Sequence, residues 1–520
     1  MRLLELYTGK LFGAIRGLDR IRFRGTLRWL ANERGMYTYL SSINVLLKDF
    51  YIWAEKQTEI IRSSCTQRAK DKGIPIEYLN SSSVDKEEIA RKILKEQGSK
   101  QGSICMLSSV EPCISPTVKG NKDTKKLELH MRNRKCVWVY HYFDHPDYGF
   151  GHVRLQTWAP YNINICLNGR HWLEKQLIKE SIGYKKDRNC FPWISDIDKA
   201  QELMDEQLKT NWDKLLTDLV FDMCPDLAKA LYPILPHYYW SADETEWATD
   251  IMFRKKEELE KLYPSLIRYG MLISDSPSVM RYFGKRELEK RGLMPEEIIS
   301  DNRTRYEGIR NKHWVNRNSI KMYNKSGSIL RIETTINNTR DFKVYRKPEN
   351  NPDKPASWQK MRKGVSDLHR RCEISDRSNV RYADAVCSLK VGETLREAVE
   401  DSCNRIVKDG KQYRGLNVWN VEDCKMLQYL AKGELAINGF RNRDLKNWIY
   451  PEAVNIEDIN EQKRLSGKIT RRIKLLRVHS LIRKVPRENR YVLTGKGQKM
   501  ASALKCASAV DIERLMGIAI

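Results

Sequence analysis

A short segment of the chain concentrates side chains that could act on a phosphodiester. Residues 320–338, "IKMYNKSGSILRIETTINN", predict a β-hairpin whose loop is Ser326-Gly327-Ser328. Pairing Ile320 with Thr334 places Lys321 directly across from Glu333, because side chains alternate between the two faces of a strand. One face then carries the polar set Lys321, Tyr323, Lys325, Arg331, Glu333 and Thr335.

This polar face allows two interpretations. A carboxylate on a rigid strand can hold a divalent metal while neighbouring cations hold phosphate oxygens and a hydroxyl or water attacks. Glu333, Arg331 and Lys325 are then the catalytic candidates. The alternative is a solvated face with a cross-strand ion pair, which stabilises a sheet by about 0.2–1 kcal/mol.

Other acids could complete a metal site. Asp19 precedes the β-pattern "DRIRFRG", and residues 241–259 predict a helix on which Asp243, Glu246 and Asp250 share one face. We expect Asp19, Asp250 and Glu333 to bind Mg²⁺ or Mn²⁺ together. Each acid taken singly could equally be an exposed surface carboxylate.

The segment around the hairpin resembles a known motif. Residues 304–338, "TRYEGIRNKHWVNRNSIKMYNKSGSILRIETTINN", are similar to the central motif of Rep-trans type rolling-circle replication initiators of phages and plasmids. The matching positions are Tyr306, Gly308, Arg310, Tyr323, Lys325, Arg331 and Glu333. The resemblance implies that Tyr306 attacks the DNA backbone, leaving a 5′-phosphotyrosine and a free 3′-OH, and that Glu333 is a metal ligand.

The end of the chain predicts three helices followed by a two-stranded wing. The helices are residues 421–430, 440–449 and 464–482, and the strands "IRKV" and "RYVLT" flank "PREN" before a closing helix from Gly495. The run "LLRVHSLIRKVPRENRYVLTGKG" resembles the recognition helix and wing of MarR-like winged helix-turn-helix regulators. The resemblance implies binding to duplex DNA, although winged helices also serve as protein–protein modules.

Charge in this segment favours nucleic acid. Residues 464–500 contain twelve Lys or Arg and one acid, Glu488. We expect the recognition helix to contact DNA through its N-terminal end and the wing through its tip. The DNA-binding candidates are Ser466, Lys468, Arg471, Arg472, Lys474, Arg487, Asn489 and Arg490.

The composition of the whole chain supports the same partner. The 520 residues carry a formal net charge of +26, which repels itself unless a polyanion such as DNA or RNA neutralises it. No apolar run is long enough to span a membrane, and the charged N-terminus is unlike a signal peptide, so we expect a cytoplasmic protein. The twelve cysteines lack zinc-knuckle spacing and are expected to be reduced thiols.

The patterns predict an α+β fold, in which a mixed β-sheet core with large helical insertions precedes the winged helix. The predicted domains are 1–190, an N-terminal α/β region; 191–347, a helical segment plus the hairpin; 348–415, a linker and helices; and 416–520, the winged helix. Residues 195–290 are predicted to be largely helical, and residues 119–126 to be a polar surface insertion.

Histidines and aromatic residues between positions 138 and 158 are the remaining candidates. We expect His141, His145 and His152 to pack or to support a turn rather than to bind zinc. Trp138, Tyr140, Tyr142 and Trp158 are expected in the core, and the alternative is that they stack on unpaired bases of single-stranded DNA or RNA.

Three functions follow from these patterns. The first is a metal-dependent DNA nicking or strand-transfer enzyme of a mobile genetic element, a nuclease resembling a transposase or a replication initiator. The others are a non-catalytic DNA-binding regulator and an RNA-binding protein of a ribonucleoprotein. The chain length favours the first, and the whole chain is similar to uncharacterised, often multicopy bacterial proteins that resemble mobile-element products.

Overall fold

A computed structural model of the protein describes residues 2–285, 298–305, 308–348, 351, 353–387, 394–432, 435, 439–451 and 458–510. Tyr306, the nucleophile implied by the resemblance to replication initiators, lies outside these residues. Among the described helices, none combines the length and the low polarity that crossing a membrane requires.

The structure contains both helices and strands, as the α+β prediction requires. The α-helices of the described residues are α1 (Arg2–Leu6), α2 (Glu33–Ser42), α3 (Phe50–Asp71), α4 (Lys86–Glu96), α5 (Gly169–Lys179), α6 (Ile197–Gln207), α7 (Trp212–Met223), α8 (Leu227–Leu231), α9 (Lys256–Ile273), α10 (Ser276–Tyr282), α11 (Leu368–Val386), α12 (Leu395–Cys403), α13 (Val421–Leu430), α14 (Asn442–Ile449), α15 (Ile459–Val478) and α16 (Gly495–Ser508).

The strands are β1 (Leu11–Thr26), β2 (Ile76–Leu79), β3 (Gly102–Gly120), β4 (Leu127–His145), β5 (Gly149–Gln156), β6 (Ile163–Asn168), β7 (Tyr184–Asp187), β8 (Cys190–Ile194), β9 (Tyr239–Phe253), β10 (Ile299–Arg305), β11 (Gly308–Val315), β12 (Asn318–Lys325), β13 (Ile329–Thr335), β14 (Lys343–Arg346), β15 (Ser357–Lys360), β16 (Ile406–Lys408), β17 (Lys411–Tyr413), β18 (Ile482–Lys484) and β19 (Tyr491–Leu493). The α+β fold class is confirmed.

The chain divides into two compact units, each assembled from separated segments. The first unit contains residues 1–14, 248–334 and 374–520, and the second contains residues 15–247 and 335–373. The division falls inside β1 and β9, so both strands contribute residues to each unit.

The second unit is built on a mixed sheet with the strand order β9-β1-β6-β5-β4-β3-β2. Only β2 and β3 are parallel among the pairs whose register is defined, and the pairs from β3 to β1 are antiparallel. Buried side chains such as Phe23, Phe50, Leu155 and Trp212 form one continuous core. Residues 121–126 are the turn of the long β3–β4 hairpin, so the predicted surface insertion is the tip of two strands.

The first unit contains the strand order β10-β11-β12-β13-β9 and most of the remaining helices. The predicted hairpin is confirmed as β12 and β13, which are neighbours in the sheet. Every residue of β13 is buried, which excludes the solvated face of the alternative interpretation. A strand with polar residues on one face can be buried throughout only if those residues find partners inside the protein.

Residues 239–253 form β9, so the helix predicted at 241–259 is wrong for most of its length. Glutamate and alanine favour helices and dominated the pattern, whereas the strand signal is the alternation of β-branched and aromatic residues. That alternating set is Thr245, Trp247, Thr249, Ile251 and Phe253. On a strand, Glu246 and Asp250 share a face with Glu244, and Asp243 lies on the other face.

The C-terminal segment has the predicted order of helices α13, α14 and α15, hairpin β18–β19 and helix α16. It has its own buried cluster, which includes Leu427, Leu445, Ile469 and Leu476. Helix α15 begins at Ile459 behind the capping side chain of Asp458, earlier than the predicted start at Arg464. Residues 466–474 therefore lie in the middle and C-terminal half of the helix rather than at its N-terminal end.

Candidate metal centre

Asp19 lies within β1 and is 3% exposed. Asn189, in the turn between β7 and β8, donates its side-chain amide to Asp19 Oδ1. A buried carboxylate is costly unless it is hydrogen-bonded or binds a cation. The prediction placed Asp19 just before a strand, and the strand extends eight residues further toward the N-terminus than the pattern indicated.

Glu246 lies on β9, which is next to β1 in the strand order. Its Oε1 is 3.7 Å from Nη2 of Arg20, and its side chain is only 13% exposed. Glu246 was named on the predicted helix but was not expected to be a metal ligand. Its role becomes visible only when residues 239–253 are placed in a strand beside β1.

Glu333 lies on β13 and is 1% exposed. Lys321 Nζ is 2.5 Å from its Oε1, and the Tyr323 hydroxyl donates to its Oε2 over 3.1 Å. Burial alone would raise the pKa of Glu333, but Lys321, Arg331 and the hydrogen bonds from Lys321 and Tyr323 outweigh it and lower this pKa. The carboxylate is therefore ionised at neutral pH, as a metal ligand must be.

Asp19, Glu246 and Glu333 form a group that could hold a metal ion. Each residue offers one carboxylate oxygen, and these oxygens all lie within 4.8 Å of one another. Two of the three members, Asp19 and Glu333, were predicted to be metal ligands. Three carboxylates at this spacing repel one another, and a bound cation removes that repulsion.

The donor set fits a hard divalent cation. Carboxylate oxygens are preferred by Mg²⁺, Mn²⁺ and Ca²⁺, whereas zinc and copper sites usually include histidine or cysteine. His141 is hydrogen-bonded to Ser103 Oγ at 2.9 Å, and His145 Nδ1 accepts the backbone amide of Asp147 at 3.0 Å. These two histidines pack and support a turn, as the sequence predicted.

Asp250 is not a member of the carboxylate group. Arg331 Nε lies 2.5 Å from its Oδ1 and Arg331 Nη2 lies 2.7 Å from its Oδ2. Both side chains are fully buried. We therefore assign Asp250 and Arg331 to a structural ion pair in the first unit, where the sequence predicted a metal ligand and a catalytic cation. Lys325, the remaining predicted catalytic cation, is buried at the end of β12.

In the second unit, arginines occupy alternate positions of β1 near the acids of β9. The side chains of Arg20, Arg22 and Arg24 are each about half exposed, at 47%, 50% and 45%. Carboxylates on Glu244, Glu246 and Asp243 stand 3.7–3.9 Å from these guanidinium groups, and side chains exposed to this degree can also contact a phosphate. The alternation is visible in the β-pattern "DRIRFRG", from which the sequence predicts only a strand.

The predicted DNA-binding residues of the C-terminal segment differ in their exposure to solvent. Arg471 and Lys474 on α15 are exposed, and so are Arg487 and Asn489 in the β18–β19 turn. Ser466 and Lys468 are half-buried, and Arg490 Nε lies 2.8 Å from Glu488 Oε2. Arg472 contacts Glu422 of α13 and its side chain is only 12% exposed, so it supports packing between two helices instead of reading DNA.

No family model, curated protein or solved structure matches this chain.

Proposed function

We propose that the protein is a metal-dependent enzyme that cuts or transfers DNA strands, as expected of a mobile genetic element. The single observation that carries this proposal is the group of Asp19, Glu246 and Glu333, whose carboxylate oxygens lie within 4.8 Å of one another. Acids gathered in this way, two of them buried, are a normal feature of sites that activate water or a hydroxyl through Mg²⁺ or Mn²⁺.

The protein's own residues supply the remaining requirements of phosphodiester chemistry. The carboxylates would hold the cation, which polarises a phosphate oxygen and lowers the pKa of a bound water. Arg20 stands beside Glu246 and Lys321 beside Glu333, so a guanidinium and an ammonium lie next to the acids, where they would contact the phosphate oxygens of a bound strand. Tyr323 hydrogen-bonds Glu333 and orients its carboxylate.

The C-terminal segment suits the delivery of duplex DNA to such a centre. Exposed cations lie on α15, in the β18–β19 turn and on β18, where Arg483 and Lys484 are also exposed. A helix followed by a two-stranded hairpin is the arrangement with which winged helices contact a major groove and the adjacent backbone. We therefore propose that this segment is a winged helix that positions the enzyme on DNA.

RNA is the second candidate partner, because the charge of +26 and the arginines of β1 suit any polyanion.

Supercoiled DNA containing the flanks of the gene, incubated with Mg²⁺ or Mn²⁺, should become nicked. Glu246→Gln should reduce the nicking rate by more than about a hundredfold, since even supporting residues of a metal site change activity 10–100-fold.

The matched control is Glu77→Gln, which changes an exposed strand glutamate on β2 and should nick normally. Equal nicking by Glu246→Gln and the wild-type protein would refute the enzymatic proposal. A structured RNA bound more tightly than DNA at matched salt, with no cleavage of DNA, would favour the ribonucleoprotein function instead.

A further inference from the structure

A small cavity opens on the sheet of the second unit. Its volume is about 270 Å³, which is slightly below the range of pockets for drug-sized ligands and suits a single heterocycle. The cavity is lined by Arg24, Pro112, Cys113, Ile114, Asn133, Trp138, Arg154, Gln156, Asn162 and Asn164. Among the described residues, this lining contains two guanidinium groups, four side-chain amides and no carboxylate.

The strand register explains why three of these residues meet. Arg24 on β1 lies opposite Asn164 on β6, and Asn164 lies opposite Arg154 on β5. Side chains of directly opposed residues project from the same face of a sheet. A guanidinium, an amide and a second guanidinium therefore stand side by side across three strands.

Arg154 is held in place from two sides. Its Cζ lies 3.8 Å from the centroid of the Trp138 ring, and its Nη2 lies 2.5 Å from Glu111 Oε2. Its Nε and the Nε1 of Trp138 are buried and have no hydrogen-bond partner among the described residues. Trp138 itself is 5% exposed. Buried hydrogen-bond donors without a partner in the protein are expected to donate to a bound ligand.

The four amides of the lining fall into two pairs. Asn162 Nδ2 donates to Gln156 Oε1 at 3.1 Å, and Gln156 Nε2 donates to the Ala159 carbonyl at 3.1 Å, so these two are fixed. The side chains of Asn133 and Asn164 make no hydrogen bond to other described residues. Their donors and acceptors remain available to a ligand.

We propose that this cavity binds an unpaired purine base of a single-stranded nucleic acid. Amide side chains match the hydrogen-bonding edge of adenine and guanidinium groups match that of guanine, whereas cytosine is read by carboxylates, which are missing from the lining. The plane of Arg154 offers a surface on which a base can stack. This inference rests on the proposed function, because it names the part of the substrate that the second unit recognises.

The arginines of β1 connect the cavity to the acids of the same unit. Arg24 lines the cavity, Arg22 and Arg20 follow at alternate positions, and Arg20 reaches Glu246. Alternate residues of a strand are about 7 Å apart, so the three guanidinium groups form an evenly spaced row. A backbone bound along this row would carry a base into the cavity at one end and a phosphate toward Glu246 at the other.

The test measures binding without cleavage, using the full chain in EDTA and fluorescein-labelled single strands of oligo-dA, oligo-dT and an abasic oligomer. We expect oligo-dA to bind about tenfold more tightly than the other two, since one or two base hydrogen bonds are worth about that factor. Asn133→Ala and Asn164→Ala should each remove most of this preference. Asn80→Ala, an exposed asparagine after β2, should retain it.

Asn133 is exposed, so its substitution tests the cavity without disturbing the core, and thermal unfolding of each variant verifies folding. Equal binding of oligo-dA and the abasic strand would overturn the proposal, as would a preference that survives both asparagine variants. Displacement of the strand by equimolar dAMP would show a site for free nucleotides and overturn its assignment to a strand. An intact preference with no metal-dependent nicking would refute the proposed enzyme alone.

Discussion

Asp250 and Arg331 form a bidentate ion pair between two fully buried side chains, with contacts of 2.5 and 2.7 Å. Both residues were expected at the reacting centre, and the structure instead makes each the partner of the other. Two desolvated charges stabilise each other, and removing one takes away the bidentate partner of the other inside the protein.

Asp250→Asn should therefore destabilise the protein by about 3–5 kcal/mol without abolishing metal binding. Urea unfolding measures the first effect and Mn²⁺ binding the second. Arg331→Met combined with Asp250→Leu should recover part of the stability, because an apolar pair of similar volume carries no buried charge, but Glu333 loses the nearby charge of Arg331. A stable Asp250→Asn variant that no longer binds Mn²⁺ would restore Asp250 as a ligand.

Lys321 supplies the cation that compensates Glu333. Lys321→Met should destabilise the metal-free protein by about 3 kcal/mol, because the buried Glu333 would lose the ammonium group that lies 2.5 Å from its carboxylate. Added Mn²⁺ should raise the melting temperature of this variant more than that of the wild-type protein, since the metal replaces the lost ammonium. Differential scanning calorimetry with and without Mn²⁺ measures both effects.

The matched control is Lys312, which lies opposite Lys321 on β11. Burial, then Lys321 and Arg310, lower the pKa of Lys312 to about 8. Lys312→Met removes a like charge and should stabilise the protein at neutral pH. A Lys321→Met variant as stable as the wild-type protein, with no extra response to Mn²⁺, would contradict the role of Lys321.

The burial of His313 should make the free energy of unfolding depend on pH. It is fully buried between Ser300, which is 2.7 Å from Nδ1, and Tyr382, which is 3.2 Å from Nε2. Burial lowers its pKa to about 4, so the unfolded chain binds the proton first. The contribution of His313 to the free energy of unfolding is therefore fully present above about pH 6.5 and is lost as the pH drops toward 4. The loss from this residue is about 3 kcal/mol.

Chemical denaturation at a series of pH values, comparing the wild-type protein with His313→Gln, isolates this contribution. The variant should be less stable at pH 7 and should show a shallower loss between pH 6.5 and 4. His141, whose pKa is also lowered to about 4 by burial, should keep part of the acid sensitivity in the variant. Identical slopes for the two proteins would show that His313 does not titrate with folding.

Arg471 and Arg472 are adjacent on α15 but should behave differently. Arg471→Ala should weaken duplex binding and reduce the slope of log affinity against log salt by about one, because an exposed guanidinium that binds a phosphate releases one counterion. Arg472→Ala should instead reduce stability, because it separates α15 from Glu422. Salt-dependent anisotropy and thermal unfolding of both variants distinguish the roles, and reversed results would contradict this assignment.

The sequence predicted the elements formed by neighbouring residues. Alternation and the "SGS" loop predicted β12 and β13, and the pairing of those strands predicted the contact of Lys321 with Glu333. The order of helices and hairpin after residue 420 followed from periodicity and turn residues. In these segments, the information lies within a few tens of residues.

Features that depend on distant segments could not be predicted in this way. Arg331 binds an acid 81 positions earlier, and no local pattern indicates that pairing. Glu246 becomes a neighbour of Asp19 only because β9 lies beside β1, and the helix-forming residues of β9 concealed that strand. Tertiary pairing decided between two local structures of similar propensity.

The most direct test is electron paramagnetic resonance of Mn²⁺ bound to the full chain. We predict one tightly bound ion per chain in the wild-type protein and in Asp250→Asn, and its loss in Asp19→Asn, Glu246→Gln and Glu333→Gln. Weak binding by the wild-type protein, or unchanged binding in all three of those variants, would contradict the metal centre.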